Sequence, residues 1–453
     1  MAASPTKSEG EGPYGKKKLH FVIVGGSLGG LAAGVALKAL GHDTTVLERA
    51  GRALLRDQGA GIVAGGDTLA FLARYDRCGR PVAVASRARQ YLDLAGGVVH
   101  AEEARQQMTS WDLMYHLLRA NYDGVVSAYC DAPAPVPGHG AAVHLHDRTV
   151  TDIKREQDGD GNEGVRVFWR SGSGSGNGSG EEKEEGSVFA DVVVGADGPS
   201  STVRALVQPG VERRYAGYCA LRGTVPEGEA SAAARRTCGE TFTFYHGPGV
   251  QALTYLIPGP GGAVEPGRRL VNFVYYANFP AGSAALEEIM TGRDGRRRAV
   301  TVGPGAVDRR AWARQRGLAR ARLPPQLADV VCAARRPFVQ AVTDVLSPEH
   351  EYWGGRVVLV GDALAGFRPH TVASTSQAAF DAMLFADYVA GKVGRAEWKR
   401  QTLGFARFVH RRGVEMGERS QHMDLPLEAC IRDRNVASTP RQEEVYPDWA
   451  TTF

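Results

Sequence analysis

"KLHFVIVGGSLGGLAAGVALKALGHDTTVLERA", Lys18 to Ala50, decides the fold. An apolar run from His20 to Val24 is bounded by glycines. Leu28, Leu31, Ala32, Val35, Ala36 and Ala39 then recur at helical spacing, and a second apolar run spans Thr44 to Leu47. Strand, helix and parallel strand in that order make a βαβ unit. On the turn, Gly25, Gly29 and Gly30 lack a Cβ, so backbone N–H groups and the helix dipole can approach a pyrophosphate. Gly26 lies within the turn, and Ser27 stands where GxGxxG carries its middle glycine. Glu48 ends the second strand about 20 residues on, where a carboxylate accepts hydrogen bonds from a ribose; the alternative is a surface glutamate beside Arg49.

Two later segments repeat the strand-then-turn pattern. "DVVVGADGPSSTVR" puts Asp197 and Gly198 after a buried strand, with Arg204 in the helix that follows. Asp197 is read either as a capping aspartate or as a cofactor-facing one. "VVLVGDALAGFRPHTVASTSQAAFDA", Val357 to Ala382, gives a strand, a Gly361-Asp362 turn, a loop through Pro369 and a helix.

At 453 residues the chain exceeds one domain of roughly 100–200 residues. The expected fold class is α/β. A Rossmann-like dinucleotide domain is built discontinuously from 18–75, 110–210 and 341–395, and 171–186 ("SGSGSGNGSGEEKEEG") is a solvated hairpin insertion. Short alternating strands, "YAGYCALRGTV", "TFTFYHGPGVQALTYLIPG" and "RLVNFVYYANF", make 76–109 and 211–340 an inserted antiparallel substrate domain. Within it the Arg-rich stretch from Arg293 reads as a solvated helix and loop. In "TSWDLMYHLLRANY", Thr109 or Ser110 caps a helix that turns Leu113, Leu117 and Leu118 inward. Residues 396–453 form a C-terminal helical region, and 1–17 a disordered tail.

With 54 basic and 50 acidic residues, charge points to neither nucleic acid nor membrane. Cys78, Cys130, Cys219, Cys238, Cys332 and Cys430 offer no CxxC pair, so no metal site is expected. With no secretory signal and no apolar run of ~18 residues, a soluble cytoplasmic protein is expected, monomer or homodimer.

The order of a GxGxxG-like turn, a "GADG" turn, an antiparallel segment and a "GDA" turn resembles the single-component FAD-dependent aromatic monooxygenases of the para-hydroxybenzoate hydroxylase type, over roughly Lys18 to Val389. "VGGSLGGL", "RYAGYCALRG", "TYLIPG" and "FRPH" are most similar to its 2,6-dihydroxypyridine 3-monooxygenase-like subgroup. The resemblance implies that Gly25, Gly26, Ser27, Gly29 and Gly30 meet the pyrophosphate of FAD, and that Glu48 and Arg49 meet its adenosine ribose. Asp197 and Gly198 would lie in a turn used by flavin and nicotinamide alike. Gly361 and Asp362 would bind the ribityl chain, and the backbone around Pro369, Thr371, Ala373 and Ser374 the pyrimidine edge. The chain departs from many relatives at Leu364, Ala365, Ala373 and Ser374. Another departure is Trp111, where relatives carry an arginine that reaches the flavin.

The implied reaction uses NADPH or NADH, FAD and O₂. It hydroxylates a small phenolic or hydroxylated N-heteroaromatic ring through a C4a-hydroperoxyflavin, in catabolism or secondary metabolism. Tyr218, Arg222, His246, Tyr255 and His370 are the candidates for activating the ring, with Arg368 beside them. Epoxidation, dearomatisation or Baeyer–Villiger insertion on a natural product is the alternative chemistry, and a non-catalytic FAD- or NAD-binding module the alternative class.

Overall fold

The structure is a computed structural model that describes residues 13–15, 17–51, 54–55, 61–172, 184–423, 425–429 and 431. Most of the expected N-terminal tail, the tip of the 171–186 insertion and the last 22 residues lie outside the described residues.

The first sheet has six strands. In spatial order they are Glu351–Tyr352, Val357–Leu359, Val192–Gly195, His20–Val24, Asp43–Leu47 and Ala142–Leu145. All pairings are parallel except that of the short edge strand Glu351–Tyr352. Helices cover both faces, which is why Phe21, Val22, Ile23 and Val192 to Val194 are fully buried in unbroken apolar runs. Helix Leu28–Ala39 buries Leu31 and Val35, each contributing roughly 1.5–3 kcal/mol. Helix Ser374–Val389 lies against it, closely enough that a Cβ on Gly29 would be 3.8 Å from the Cβ of Ala378.

The second sheet has ten strands, is mainly antiparallel and is centred on Arg214–Pro226, Leu270–Asn278 and Val250–Ile257. Period-two alternation divides Val250–Ile257 between two cores. Ala252 and Leu256 face the helices Arg309–Arg322 and Pro325–Ala333, while Leu253, Tyr255 and Ile257 face the other way, toward the first sheet. Strand Gly61–Ala64 pairs with Val98–Ser110 in this sheet, and Phe338–Leu346 pairs with Arg214–Pro226. The expected boundaries at 75 and 341 therefore do not follow strand pairing, because hydrogen bonding carries one strand on each flank across them.

A third, three-stranded sheet carries the low-complexity insertion between Glu163–Arg170 and Glu185–Ala190 as an antiparallel hairpin. Helix Trp111–Asp123 is capped by Ser110, whose hydroxyl accepts from the Leu113 amide. Helix Arg395–His422 packs against helix Ser374–Val389 and the second sheet. One correction concerns the tail: Tyr14, expected within it, donates to the Gly355 carbonyl at 2.8 Å and meets Tyr388 edge-on.

Candidate active site

Chain order reverses on either side of His20–Val24, and a ligand crevice forms at such a switch point beyond the carboxyl ends of the strands. Four turns converge there. Gly25 and Ser27 follow His20–Val24, Glu48 follows Asp43–Leu47, Asp197 follows Val192–Gly195, and Asp362 follows Val357–Leu359. Gly25, Ser27, Glu48, Arg49, Asp197 and Gly198 line a cavity of about 440 Å³. Through Trp111, Pro199 and Arg213, which border both spaces, it joins a second cavity of about 320 Å³ under the antiparallel sheet.

The glycines divide by task. Gly25 has φ +106°, and a Cβ there would strike the Ala196 carbonyl; one on Gly30 would strike the Gly25 carbonyl. Gly26 packs against His144 and Glu48, and Gly29 against the later helix, so of the turn only Gly25 and Ser27 line the cavity. Glu48 accepts from the amides of Gly26 and Ala50, both at 2.8 Å, one at each carboxylate oxygen. A second acceptor site on each oxygen is left for a ligand hydroxyl.

Asp197 combines both of its readings. It accepts from the amides of Thr202 and Val203 and from the Ser201 hydroxyl, and it also lines the cavity. Burial raises its carboxyl pKa, against the pull of those bonds. Arg204 points away and braces the turns by donating to the carbonyls of Ala363 and Pro199. Asp362 lines the second cavity, where burial lifts its carboxyl to about 6 and Arg213 opposes the lift. The turn that carries it is held by Asp381, which accepts from the Gly361 amide at 2.8 Å.

Under the sheet, Arg222, Tyr255 and Tyr276 line the second cavity. Arg222 donates through Nη2 to the Gly61 carbonyl at 2.9 Å, while its Nε is buried without a partner. Burial pushes the Tyr255 phenol up to about 12, with Arg222 acting the other way, so it stays a hydrogen-bond donor. Pro369, Ser374 and Thr375 form the opposite wall; Ala373 is buried behind it. The helix begins at Ser374, after a 3₁₀ turn at Pro369–Thr371 and Val372 at φ +50°. A β-branched residue in that region is strained by roughly 1–3 kcal/mol.

Tyr218, His370 and His246 lie elsewhere. His370, His246 and Thr371 line a smaller chamber across the Pro369–Val372 loop. Tyr218 borders none of these spaces, but its hydroxyl is 2.8 Å from His370 Nε2. Tyr276 stacks on His370 with ring centroids 4.6 Å apart, so this pair divides the two chambers. Burial, then Arg368 and His246, lower the His370 imidazole to about 3 and keep it neutral. Arg368, left open as a substrate-side group, lines neither of these two chambers. It donates to Asp344 and Glu418, both at 2.7 Å, and His410 Nε2 is 3.3 Å from the other Asp344 oxygen. Gly417 makes room for this network, since a Cβ there would be 3.1 Å from Arg368 Cδ and would strike the Tyr218 hydroxyl.

The residues present fit FAD. The glycine turn brings the backbone to the cavity at positions where a Cβ on Gly25 or Gly30 would clash, Glu48 keeps acceptor capacity, and Arg222, whose Nε is buried without a partner, lines the second cavity. Arg213, which sequence reasoning missed, supplies a cation at the junction of the two cavities. The arginine missing at Trp111 is thus matched by a charge from another element. Trp111 itself stacks on Tyr115 with ring centroids 4.9 Å apart and presents a flat wall.

Comparison with known proteins agrees with this geometry. The family profile described as FAD binding domain-like matches residues 215–344. The 2,6-dihydroxypyridine 3-monooxygenase of Paenarthrobacter nicotinovorans is 28% identical over 369 residues, 81% of this chain and 82% of that protein. The solved structure of 2,6-dihydroxypyridine-3-hydroxylase from Arthrobacter nicotinovorans superposes with TM-score 0.73 at 26% identity, covering 91% of this chain and 96% of that one. Klebsiella pneumoniae HpxO, solved with FAD and uric acid, shares the fold at 20% identity and TM-score 0.64, covering 92% and 91%. The chain is thus similar, over most of its length, to FAD-dependent monooxygenases.

Proposed function

We propose that the protein uses NADPH or NADH and O₂ to hydroxylate a small phenolic or hydroxylated N-heteroaromatic ring. One observation carries the reading: the dinucleotide cleft opens, past Trp111 and Arg213, into an aromatic cavity roofed by the antiparallel sheet. Two of the three named relatives carry 2,6-dihydroxypyridine, an N-heteroaromatic of this class, in their names.

FAD, when bound, accepts hydride and activates O₂ for transfer to the ring. The chain's residues do the rest. Ser27 would present its amide to the pyrophosphate beside Gly25, whose own amide donates to the Leu47 carbonyl; Glu48 would accept from the ribose and Asp362 from the ribityl chain. Arg213 balances negative charge where the cavities meet, and the start of helix Ser374–Val389 faces the pyrimidine edge with its positive end. Tyr255 offers a protonated phenol and Arg222 a fixed cation toward a substrate oxygen, which favours the ring in its anionic, more reactive form. Tyr276, Leu253 and Phe338 keep water out.

The test is a panel of hydroxypyridines and phenols, scored for NAD(P)H oxidation, oxygen uptake and product mass. A substrate that stimulates all three and gains one oxygen supports the proposal. NAD(P)H oxidation with no oxygenated product from any ring counts against it.

A further inference from the structure

Cys78 follows helix Gly66–Tyr75 and Cys130 follows helix Trp111–Asp123, each on a connecting stretch without strand or helix. The fold brings them together, and the two thiols share a hydrogen bond. Both sulfurs are also held by one helix: Cys78 Sγ accepts from Asn121 Nδ2 at 3.4 Å, and Cys130 Sγ donates to the His116 carbonyl at 3.5 Å. Each stretch is fixed in turn. Asn121 donates to Asp76 at 2.7 Å and accepts from the Arg77 amide at 2.9 Å. The Ser127 amide donates to the Cys130 carbonyl at 3.0 Å, and Tyr129 stacks on His116 with ring centroids 4.4 Å apart. Both cysteines are partly exposed, beside the exposed Arg77, Gly79 and Ala128. The other described cysteines differ: Cys219 and Cys238 are buried, and Cys332 donates to the Arg316 carbonyl. The pair is asymmetric as well. The bond from Cys78 lowers the Cys130 thiol, with Arg80 adding to the effect, and the same contact together with burial raises the Cys78 thiol. Cys130 is therefore the sulfur that ionises, and a thiolate is the nucleophile.

We infer that Cys78 and Cys130 form an oxidation site, a dithiol that hydrogen peroxide converts into an intramolecular disulfide. The Cys130 thiolate attacks one peroxide oxygen, the O–O bond breaks and hydroxide leaves, which makes Cys130 a sulfenic acid. The Cys78 sulfur then attacks the Cys130 sulfur; an S–S bond forms, the S–O bond breaks, and the oxygen departs as water with the Cys78 proton. Hydroxide takes up the proton that Cys130 released. Two thiols and one peroxide thus give one disulfide and two waters, the sulfurs losing the two electrons that peroxide gains. Two thiols already in hydrogen-bond contact need only shorten that contact and rotate to reach disulfide geometry. The bond ties together the trailing ends of two units that border the larger cavity, strand Gly61–Ala64 with the helix after it, and the helix that begins at Trp111. The inference stands apart from the flavin reading, since it needs only the two thiols and peroxide.

The test treats the reduced full chain with hydrogen peroxide, blocks the remaining thiols with N-ethylmaleimide under denaturing conditions, and maps the unreduced digest by mass spectrometry. The expected product is one cross-linked peptide pair joining Cys78 to Cys130, lighter than its two thiol peptides by two hydrogen atoms and cleaved by dithiothreitol. The urea midpoint of the oxidised chain should rise by roughly 0.5 M, because the bond closes a long loop in the unfolded chain. Cys78→Ser should lose the cross-link and leave a sulfenic acid at Cys130 that dimedone traps. Cys130→Ser should lose the cross-link and leave Cys78 a free thiol, and its urea midpoint should not respond to peroxide. Serine is close to cysteine in size, and the mapping reads each sulfur directly. Peroxide that leaves both thiols open to N-ethylmaleimide overturns the inference, as does a cross-link from either one to a different cysteine. Dimedone labelling of Cys78 in Cys130→Ser with none of Cys130 in Cys78→Ser overturns the assigned order of attack.

Discussion

Arg368→Met removes the cation that ties the flavin loop to the sheet and to the closing helix. Arg368 is 8% exposed and donates at 2.7 Å to Asp344, itself 7% exposed, and at 2.7 Å to Glu418. Methionine fills a similar volume, so the main effect is electrostatic: Asp344 stays buried with only His410, at 3.3 Å, beside it. Burial would raise the Asp344 carboxyl; contacts with His410 and Arg368 outweigh it and hold the carboxyl low. Breaking one half of a buried ion pair costs about 3–5 kcal/mol. Glu418, the more exposed partner, adds little. Replacing both members, Arg368→Met with Asp344→Asn, removes the uncompensated charge and should recover more than half of the loss. The assay is urea unfolding of the FAD-free chain followed by circular dichroism, with FAD affinity measured in parallel. Because Val372 is held at positive φ between this network and the following helix, FAD affinity should fall with stability in the single variant and return in the double. An unchanged midpoint in Arg368→Met, or a double variant no more stable than the single, refutes the reasoning.

Glu48→Gln puts an amide where a carboxylate now accepts from two backbone N–H groups; the FAD dissociation constant should rise roughly tenfold or more, read by flavin fluorescence titration. Arg213→Met removes the cation at the junction of the two cavities and should weaken FAD roughly tenfold, whereas Trp111→Phe, which keeps a flat wall, should stay near the parent. Asp67 and Asp381 are buried carboxyls, both lifted to about 8 by burial, Asp67 further by Asp381. The folded chain thus keeps protons that the unfolded chain releases near about pH 4, so stability falls as pH rises from about 4 to about 8. Asp67→Asn should flatten that decline in urea midpoints measured across the range.

The parallel sheet and its four turns were legible because its central strands carry apolar runs closed by Gly, Asp or Glu. Burial on both faces leaves a continuous signal, and a tight turn at a switch point demands residues of that kind. The antiparallel sheet was legible as alternation, but its membership was not. Gly61–Ala64 follows a stretch with no periodicity and joins by pairing with a distant strand. Side-chain direction was the least legible layer. Tyr218 and Arg222 lie on one strand an even number of residues apart, yet Tyr218 reaches His370 while Arg222 reaches Gly61. A bulge between Tyr215 and Cys219 and the approach of the closing helix separate their surroundings. Arg368 read as a substrate-side charge because its partners, Asp344 and Glu418, are 24 and 50 residues away in the chain.

The most direct test of the account is whether the purified chain takes up FAD and couples it to a ring. The account predicts a yellow protein that binds FAD saturably and, with a hydroxypyridine or phenol from the panel, consumes NAD(P)H and O₂ together to give a product enlarged by one oxygen atom. A protein that stays colourless after incubation with FAD contradicts it.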